Sequence, residues 1–225
     1  MNFVTGCNKI SPGCKNCYAL TVTERWPKAF PNGFNVTLQP DRLLIPEKWR
    51  NPKLVFVNSM SDTFHDEVPD DYLRSMWDVF RRTPKHTYQI LTKRPERMRD
   101  LFHAGVLVGL PNVWLGVSAE RQKEWDERVP LLADCMAPVK FVSCEPLVGA
   151  INIWPLERWV SWVIVGGESG PGRRPMDVQW ARNIRDQCRA SGIPFFYKQG
   201  NALHAGHDDL LDGVEHKEIP PWRIR

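Results

Sequence analysis

Leu54-Val55-Phe56-Val57-Asn58-Ser59-Met60-Ser61-Asp62 is a short apolar, β-branched run that stops abruptly in small and polar residues. Helical sequence follows it, from Asp70 to Arg82. The same arrangement recurs along the chain. Tyr88-Gln89-Ile90-Leu91 ends in Thr92-Lys93-Arg94-Pro95, and Val113-Trp114-Leu115-Gly116-Val117 ends in Ser118-Ala119-Glu120. Val139-Lys140-Phe141-Val142 ends in Ser143-Cys144-Glu145-Pro146, and Trp162-Val163-Ile164-Val165 ends in Gly166-Gly167-Glu168-Ser169-Gly170. Ile193-Pro194-Phe195-Phe196-Tyr197 ends in Lys198-Gln199-Gly200. Each unit is roughly 25–35 residues long, the length of a βα repeat. Pro95 to His103, Arg121 to Asp134 and Asp177 to Ser191 supply further apolar positions at helical intervals.

Near-continuous apolar strands imply burial on both faces, as in a parallel sheet covered by helices. Right-handed crossovers place all the carboxyl ends on one side. The expected fold is therefore α/β: a (β/α) TIM-like barrel, complete or partial, over residues 1–200, with residues 201–225 as a tail packing on it. Within this frame an N-terminal strand before Cys7 is the first strand, next to the last if the barrel closes. Phe34 to Leu38 reads as a further strand, Tyr18 to Trp26 as a helix and the segment from Pro40 to Trp49 as a short helix. No Gly-x-Gly-x-x-Gly follows the first strand, which argues against a dinucleotide-binding sheet.

The N-terminal loop carries the sharpest chemical signal. Thr5-Gly6-Cys7-Asn8-Lys9-Ile10-Ser11-Pro12-Gly13-Cys14-Lys15-Asn16-Cys17-Tyr18-Ala19 holds three of the six cysteines. A Cys-x2-Cys pair brings two thiolates to one side of a tight turn, and Cys7 can fold back across Pro12-Gly13 to join Cys14 and Cys17. Structural zinc sites close with four ligands, so a three-thiolate set leaves a coordination position open. Iron–sulfur clusters are likewise held by thiolates, usually four. Spacing alone leaves zinc and iron–sulfur both open, and His204 and His207 are candidates for a further ligand.

In barrels of this kind the functional rim lies at the carboxyl ends of the strands. That rule gathers Ser59, Ser61, Asp62, Lys93, Arg94, Ser118, Glu120, Glu145, Gly166, Gly167, Glu168, Ser169, Lys198 and Gln199 around one mouth with the cysteines. The glycines of the Gly166–Gly172 loop allow close backbone approach to a ligand. Glu168 is placed to accept from an ammonium or ribose hydroxyl, and Arg173-Arg174 to bind phosphate or carboxylate. The net charge of +4 is compatible with a nucleic-acid or phosphorylated partner. No apolar run approaches a membrane span and no signal peptide precedes Cys7. The expected location is the cytoplasm, where cysteines stay reduced.

Taken together, Thr-Gly-Cys-Asn-Lys-Ile-Ser-Pro-Gly-Cys-Lys-Asn-Cys-Tyr-Ala, Val-Asn-Ser-Met-Ser-Asp, Leu-Thr-Lys-Arg-Pro-Glu-Arg-Met, Ser-Cys-Glu-Pro-Leu and Val-Gly-Gly-Glu-Ser-Gly-Pro-Gly resemble a phage and bacterial family of three-Cys-motif proteins, from Asn2 to about Pro220. The chain also resembles radical S-adenosylmethionine (SAM) enzymes, with a three-Cys loop after the first strand of a (β/α) barrel. That resemblance implies a [4Fe-4S] cluster on Cys7, Cys14 and Cys17, with SAM at its open iron. It further implies Asp62, Glu120, Glu145 and Glu168 as contacts to SAM or substrate, with Lys93, Arg94 and Lys198 holding anionic groups. Glu168, Asp62 and Lys198 are the candidate catalytic residues. Two features differ from the usual pattern: the first gap is six residues rather than three, and Gly-Gly-Glu follows a late strand rather than the second. The leading expectation is a radical-SAM-like enzyme acting on a nucleic acid or nucleotide, with a partner protein and without a membrane. The alternatives are a nucleic-acid-binding protein with a structural zinc or cluster, and a zinc hydrolase with Glu168 or Asp62 as base.

Overall fold

A computed structural model describes residues 1–221; the end of the expected tail, 222–225, lies outside the described residues. The N-terminal region holds two short strands, β1 (Val4–Thr5) and β2 (Thr37–Leu38), paired antiparallel, and helix α1 (Tyr18–Arg25) between them. The body is one six-stranded parallel sheet in sequential order: β3 (Leu54–Val57), β4 (Thr87–Thr92), β5 (Val113–Ser118), β6 (Lys140–Cys144), β7 (Trp162–Gly166) and β8 (Phe195–Gln199). It curls into a half-barrel whose edge strands, β3 and β8, do not pair with each other. The barrel is partial.

Helices α2 (Asp70–Arg82), α3 (Pro95–His103), α4 (Gln122–Ala133) and α5 (Val178–Ser191) cross between strands. The α2 sequence shows why. Leu73, Met76, Trp77 and Phe80 recur at helical spacing and are all buried, while Asp70 and Asp71 in the first turn and Arg81 and Arg82 in the last complement the helix dipole. Helix α5 starts where the Asp177 side chain accepts from the Gln179 N–H at 2.9 Å. It stops where Gly192 turns left-handed at φ +67°.

Alternation sorts the sheet into two faces. Val55, Val57, Tyr88, Ile90, Leu115, Val117, Val142, Val163 and Val165 face the helices in the main core. Trp114, Phe141 and Trp162 form a second cluster on the inner face, with Leu54, Leu91, Ile164 and Phe196 packed against it.

Several sequence expectations require correction. The stretch from Phe34 narrows to a two-residue strand, and the Pro40–Trp49 segment forms two 3-10 turns, Pro40–Arg42 and Pro46–Lys48, rather than one helix. Between β6 and β7 there is no α-helix, only the 3-10 turn Glu157–Trp159. Strand β1 is not a neighbour of β8. It lies beside the β3 edge, where Gly6 bridges Ser61 in parallel and the Gly6 N–H donates to the Met60 carbonyl at 2.9 Å. Beyond β8, β9 (Leu210–Leu211) and β10 (Val214–Glu215) form a small hairpin, and Lys217 bridges Phe196.

Candidate metal and ligand site at the carboxyl-end mouth

The loop from Gly6 to Cys17 is pinned over the carboxyl ends of the strands by contacts with four of them. Gly6 opens it at φ +85°, and a Cβ there would stand 2.1 Å from the Asn35 carbonyl oxygen, so only glycine fits. At β3, the Asn58 side chain accepts from the Phe3 and Val4 N–H groups at 2.7 and 3.0 Å. Asp62 then organises the β4 end. It accepts from the Thr92 hydroxyl at 2.6 Å, the Lys93 N–H at 2.9 Å and the Phe64 N–H at 3.0 Å, and it pairs with Arg94 at 3.2 Å. The same Arg94 Nη1 donates to Cys7 Sγ at 3.5 Å, and Nη2 donates to Asn8 Oδ1. His65 Nε2 also meets Asn8 Oδ1, at 3.0 Å.

Glu120, at the β5 end, is wholly buried. It accepts from the Ser11 hydroxyl at 2.6 Å, pairs with Arg128 at 3.2 Å and faces Lys93 Nζ at 3.6 Å. A Cβ on Gly13 would fall 2.2 Å from Glu120 Oε1, so the loop lies directly on this carboxylate. At β7, Glu168 accepts from Asn16 Nδ2 at 2.9 Å and from Arg174 N and Nε at 2.7 and 3.0 Å. Lys198 pairs with Glu145 at 2.9 Å across the β6 and β8 ends, and the Ser143 hydroxyl donates to Glu145 at 2.9 Å.

These contacts bring Asp62, Lys93, Arg94, Ser118, Glu120 and Glu168 together with the cysteine loop; Lys93 Nζ donates to Ser118 Oγ at 3.0 Å. Glu145 and Lys198 sit at the same rim as a separate pair. Other sequence-selected residues serve the scaffold. Ser59 Oγ donates to Asn2 Oδ1 at 3.2 Å and Ser61 Oγ to the Val4 carbonyl at 3.0 Å, fastening the N-terminal segment to β3. Gln199 Nε2 donates to the Gly167 carbonyl at 3.0 Å, and a Cβ on Gly166 would crowd Glu145 Oε1 at 2.8 Å, so these residues shape the glycine loop. Ser169 is half-buried within it. His204 and His207 are exposed and pack against each other, with ring centroids 5.8 Å apart. No sequence pattern of their own singles out Asn8, Asn16, His65 and Arg128. His65 lies three residues beyond Asp62 in the same strand-end stretch, and Asn16 adjoins Cys17, so proximity to the motifs was the available signal.

All three loop cysteines are free and half-buried. Burial raises the Cys7 thiol, against the opposing pull of Arg94. Burial acts the same way on Cys14, but backbone hydrogen bonding at Ile10, the Ser11 hydroxyl and the nearby Lys93 charge bring it below its ordinary value. Burial would also raise Glu168, yet Arg174 and Asn16 hold it below its ordinary value. Lys198 is raised by Glu145. Among the described residues no three His, Cys, Asp or Glu side chains form a ready-made metal cage. The donor chemistry nevertheless fits a thiolate-bound metal or cluster: three reduced sulfurs on one loop, with Arg94 and Lys93 beside Cys7 and Cys14 to offset thiolate charge. A half-open pocket of about 290 Å³ lined by Arg185, Arg189, His216 and Glu218 includes Phe195, which starts β8, at the opposite end of the sheet from this chemistry.

A family description, protein of unknown function DUF5131, matches residues 1–220. The chain belongs to the DUF5131 family. The match spans the cysteine loop, all six strands of the half-barrel and the rim. No curated protein and no solved structure matches the chain. No helix among the described residues is long and apolar enough to cross a membrane.

Proposed function

We propose that this chain is a radical-SAM-like iron–sulfur enzyme that acts on a nucleic acid or nucleotide. Cys7, Cys14 and Cys17 would hold the [4Fe-4S] cluster. The observation that carries the reading is the placement of three free thiols on a loop fastened across the carboxyl-end mouth of a parallel half-barrel, with Arg94 against Cys7. When bound, such a cluster would supply the electron that splits SAM into methionine and a 5′-deoxyadenosyl radical, and that radical would take a hydrogen atom from the substrate.

The chain's own residues divide the remaining work. Asp62, Glu120 and Glu168 fix the loop through Arg94, Ser11 and Asn16, and so set where the sulfurs stand. Lys93 and Lys198 present ammonium groups at the mouth, suited to phosphate or carboxylate oxygens. The hydrolase reading, with Asp62 or Glu168 as base, has less support, because both carboxylates are already occupied by guanidinium groups and amides.

Anaerobic reconstitution with iron and sulfide tests this function. The expected product has a broad absorbance near about 400 nm, as thiolate-ligated clusters show. It accepts SAM, and the band is lost in the Cys7→Ala/Cys14→Ala/Cys17→Ala variant. Stoichiometric zinc in the purified protein together with refusal of a cluster would sink the reading in favour of a metal-stabilised binding protein.

A further inference from the structure

The inner face of the half-barrel, whose centre is filled by Trp114, Phe141 and Trp162, carries near its β3 edge one buried polar group that the mouth does not use. Gln89 lies on β4 between Tyr88 and Ile90, both in the helix-facing core, so alternation puts it on the inner face. It is 8% exposed, and its Nε2 has no hydrogen-bond partner among the described residues. A buried unpartnered carboxamide bears a desolvation penalty that a ligand hydrogen bond removes, which makes such a group a pointer to a missing partner. Register places Phe56 of β3 directly opposite Gln89, and Phe56 is 38% exposed on the edge strand. Further up the same strand and on the same face comes the half-buried Leu91, and just past the end of β4 stands Lys93, whose ammonium reaches Ser118. From Gln89 to the end of β4 at Thr92 is three residues, about 10 Å of extended strand. A base edge and its phosphate are separated by a comparable span.

We infer that this β3-side strip of the inner face forms a trough for the substrate's base: the flat face of a nucleobase lies against Phe56 and Leu91, Gln89 reads its polar edge, and Lys93 takes the phosphate. The assignment rests on the function proposed for the mouth and names the part of the substrate the inner face would recognise. A carboxamide suits this role because its donor and acceptor match the paired donor–acceptor edge of a base. An exposed aromatic ring supplies a stacking platform of the kind used for unpaired bases. The cation stands on the side of the cysteine loop, so a base seated in the trough directs its sugar and phosphate toward the mouth.

Isothermal titration of the full chain with the four 5′-mononucleotides, and with a short single-stranded oligonucleotide, tests the assignment. Wild type is expected to bind at least one nucleotide. Gln89→Leu is expected to weaken that binding about tenfold, the loss of one buried hydrogen bond. Its thermal midpoint should equal or exceed that of wild type, since the leucine removes an unpartnered polar atom; a merely structural glutamine would give the opposite pair of results. Phe56→Ala should weaken all bases alike. Free nucleotides binding as well as the oligonucleotide identifies a nucleotide substrate, and binding of the oligonucleotide alone identifies a base within a strand. No binding of either probe at millimolar concentration, or wild-type affinity in both variants, overturns the inference. Titrating the triple cysteine variant separates the two claims. Binding retained there supports the trough whatever the loop holds, and a loaded cluster without nucleotide binding refutes the trough alone.

Discussion

Replacing Glu120 is expected to damage both the fold and the cysteine loop, and the structure gives the size of the first effect. Glu120 is wholly buried, and the Arg128 side chain that it meets at 3.2 Å is only 9% exposed. Glu120→Ala removes the carboxylate and leaves Arg128 as a buried cation whose remaining partner is the Ser118 carbonyl at 2.7 Å. Breaking a buried pair in this way costs about 3–5 kcal/mol. For a domain of this size that corresponds to a fall of about 6–20 °C in Tm. The Glu120→Leu/Arg128→Met double variant removes both charges and should recover most of the loss, a coupling of at least about 2 kcal/mol in a double-mutant cycle closed by the Glu120→Leu and Arg128→Met single variants. Urea unfolding followed by circular dichroism measures these differences, with the slope checked for constancy. The loop should not recover in the double variant, because Ser11 still lacks the acceptor it meets at 2.6 Å. Limited proteolysis between Cys7 and Cys17 should therefore be faster in both variants. A loss within about 1 kcal/mol for Glu120→Ala would refute the claim that this pair is a buried, mutually dependent unit.

Two further outcomes follow from the rim. Asn58 sits at φ +56° and accepts from two buried N–H groups, so Asn58→Ala should destabilise by about 2–4 kcal/mol, whereas Asn58→Gly, which suits the backbone, should recover only the conformational part in the same urea assay. Glu168 has a folded pKa below its ordinary 4.5, so its stabilising contribution is fully present above that value and is lost as pH falls through the lower folded pKa; the stability gap between wild type and Glu168→Gln should close on acidification below pH 4.5 and stay constant above it.

The helices and strands were largely legible because burial writes itself into local periodicity. The α2 stripe of Leu73, Met76, Trp77 and Phe80 and the near-continuous apolar runs of β4 and β5 reflect how each element meets the core. Element identity failed where periodicity was absent. The segment between β6 and β7 reads without a helical stripe and forms only a 3-10 turn. The segment before Cys7 reads as a barrel strand, but the backbone of the two-residue β1 is captured by the Asn58 side chain and by β2.

From sequence alone came the parallel α/β plan, the gathering of strand-end residues on one side, and the presence of three cysteines on one loop, since each depends on residues near one another in the chain. Only the tertiary structure decided which charges are free and which are spent. Ser11 finds Glu120 across 109 residues, and Asn16 finds Glu168 across 152. Strand order and register alone bring such residues within hydrogen-bonding reach. That geometry turned Asp62, Glu120 and Glu168 from a ring of acids facing a ligand into the anchors of the cysteine loop. It also left Gln89, unremarkable in the sequence, as a buried polar group without a partner among the described residues.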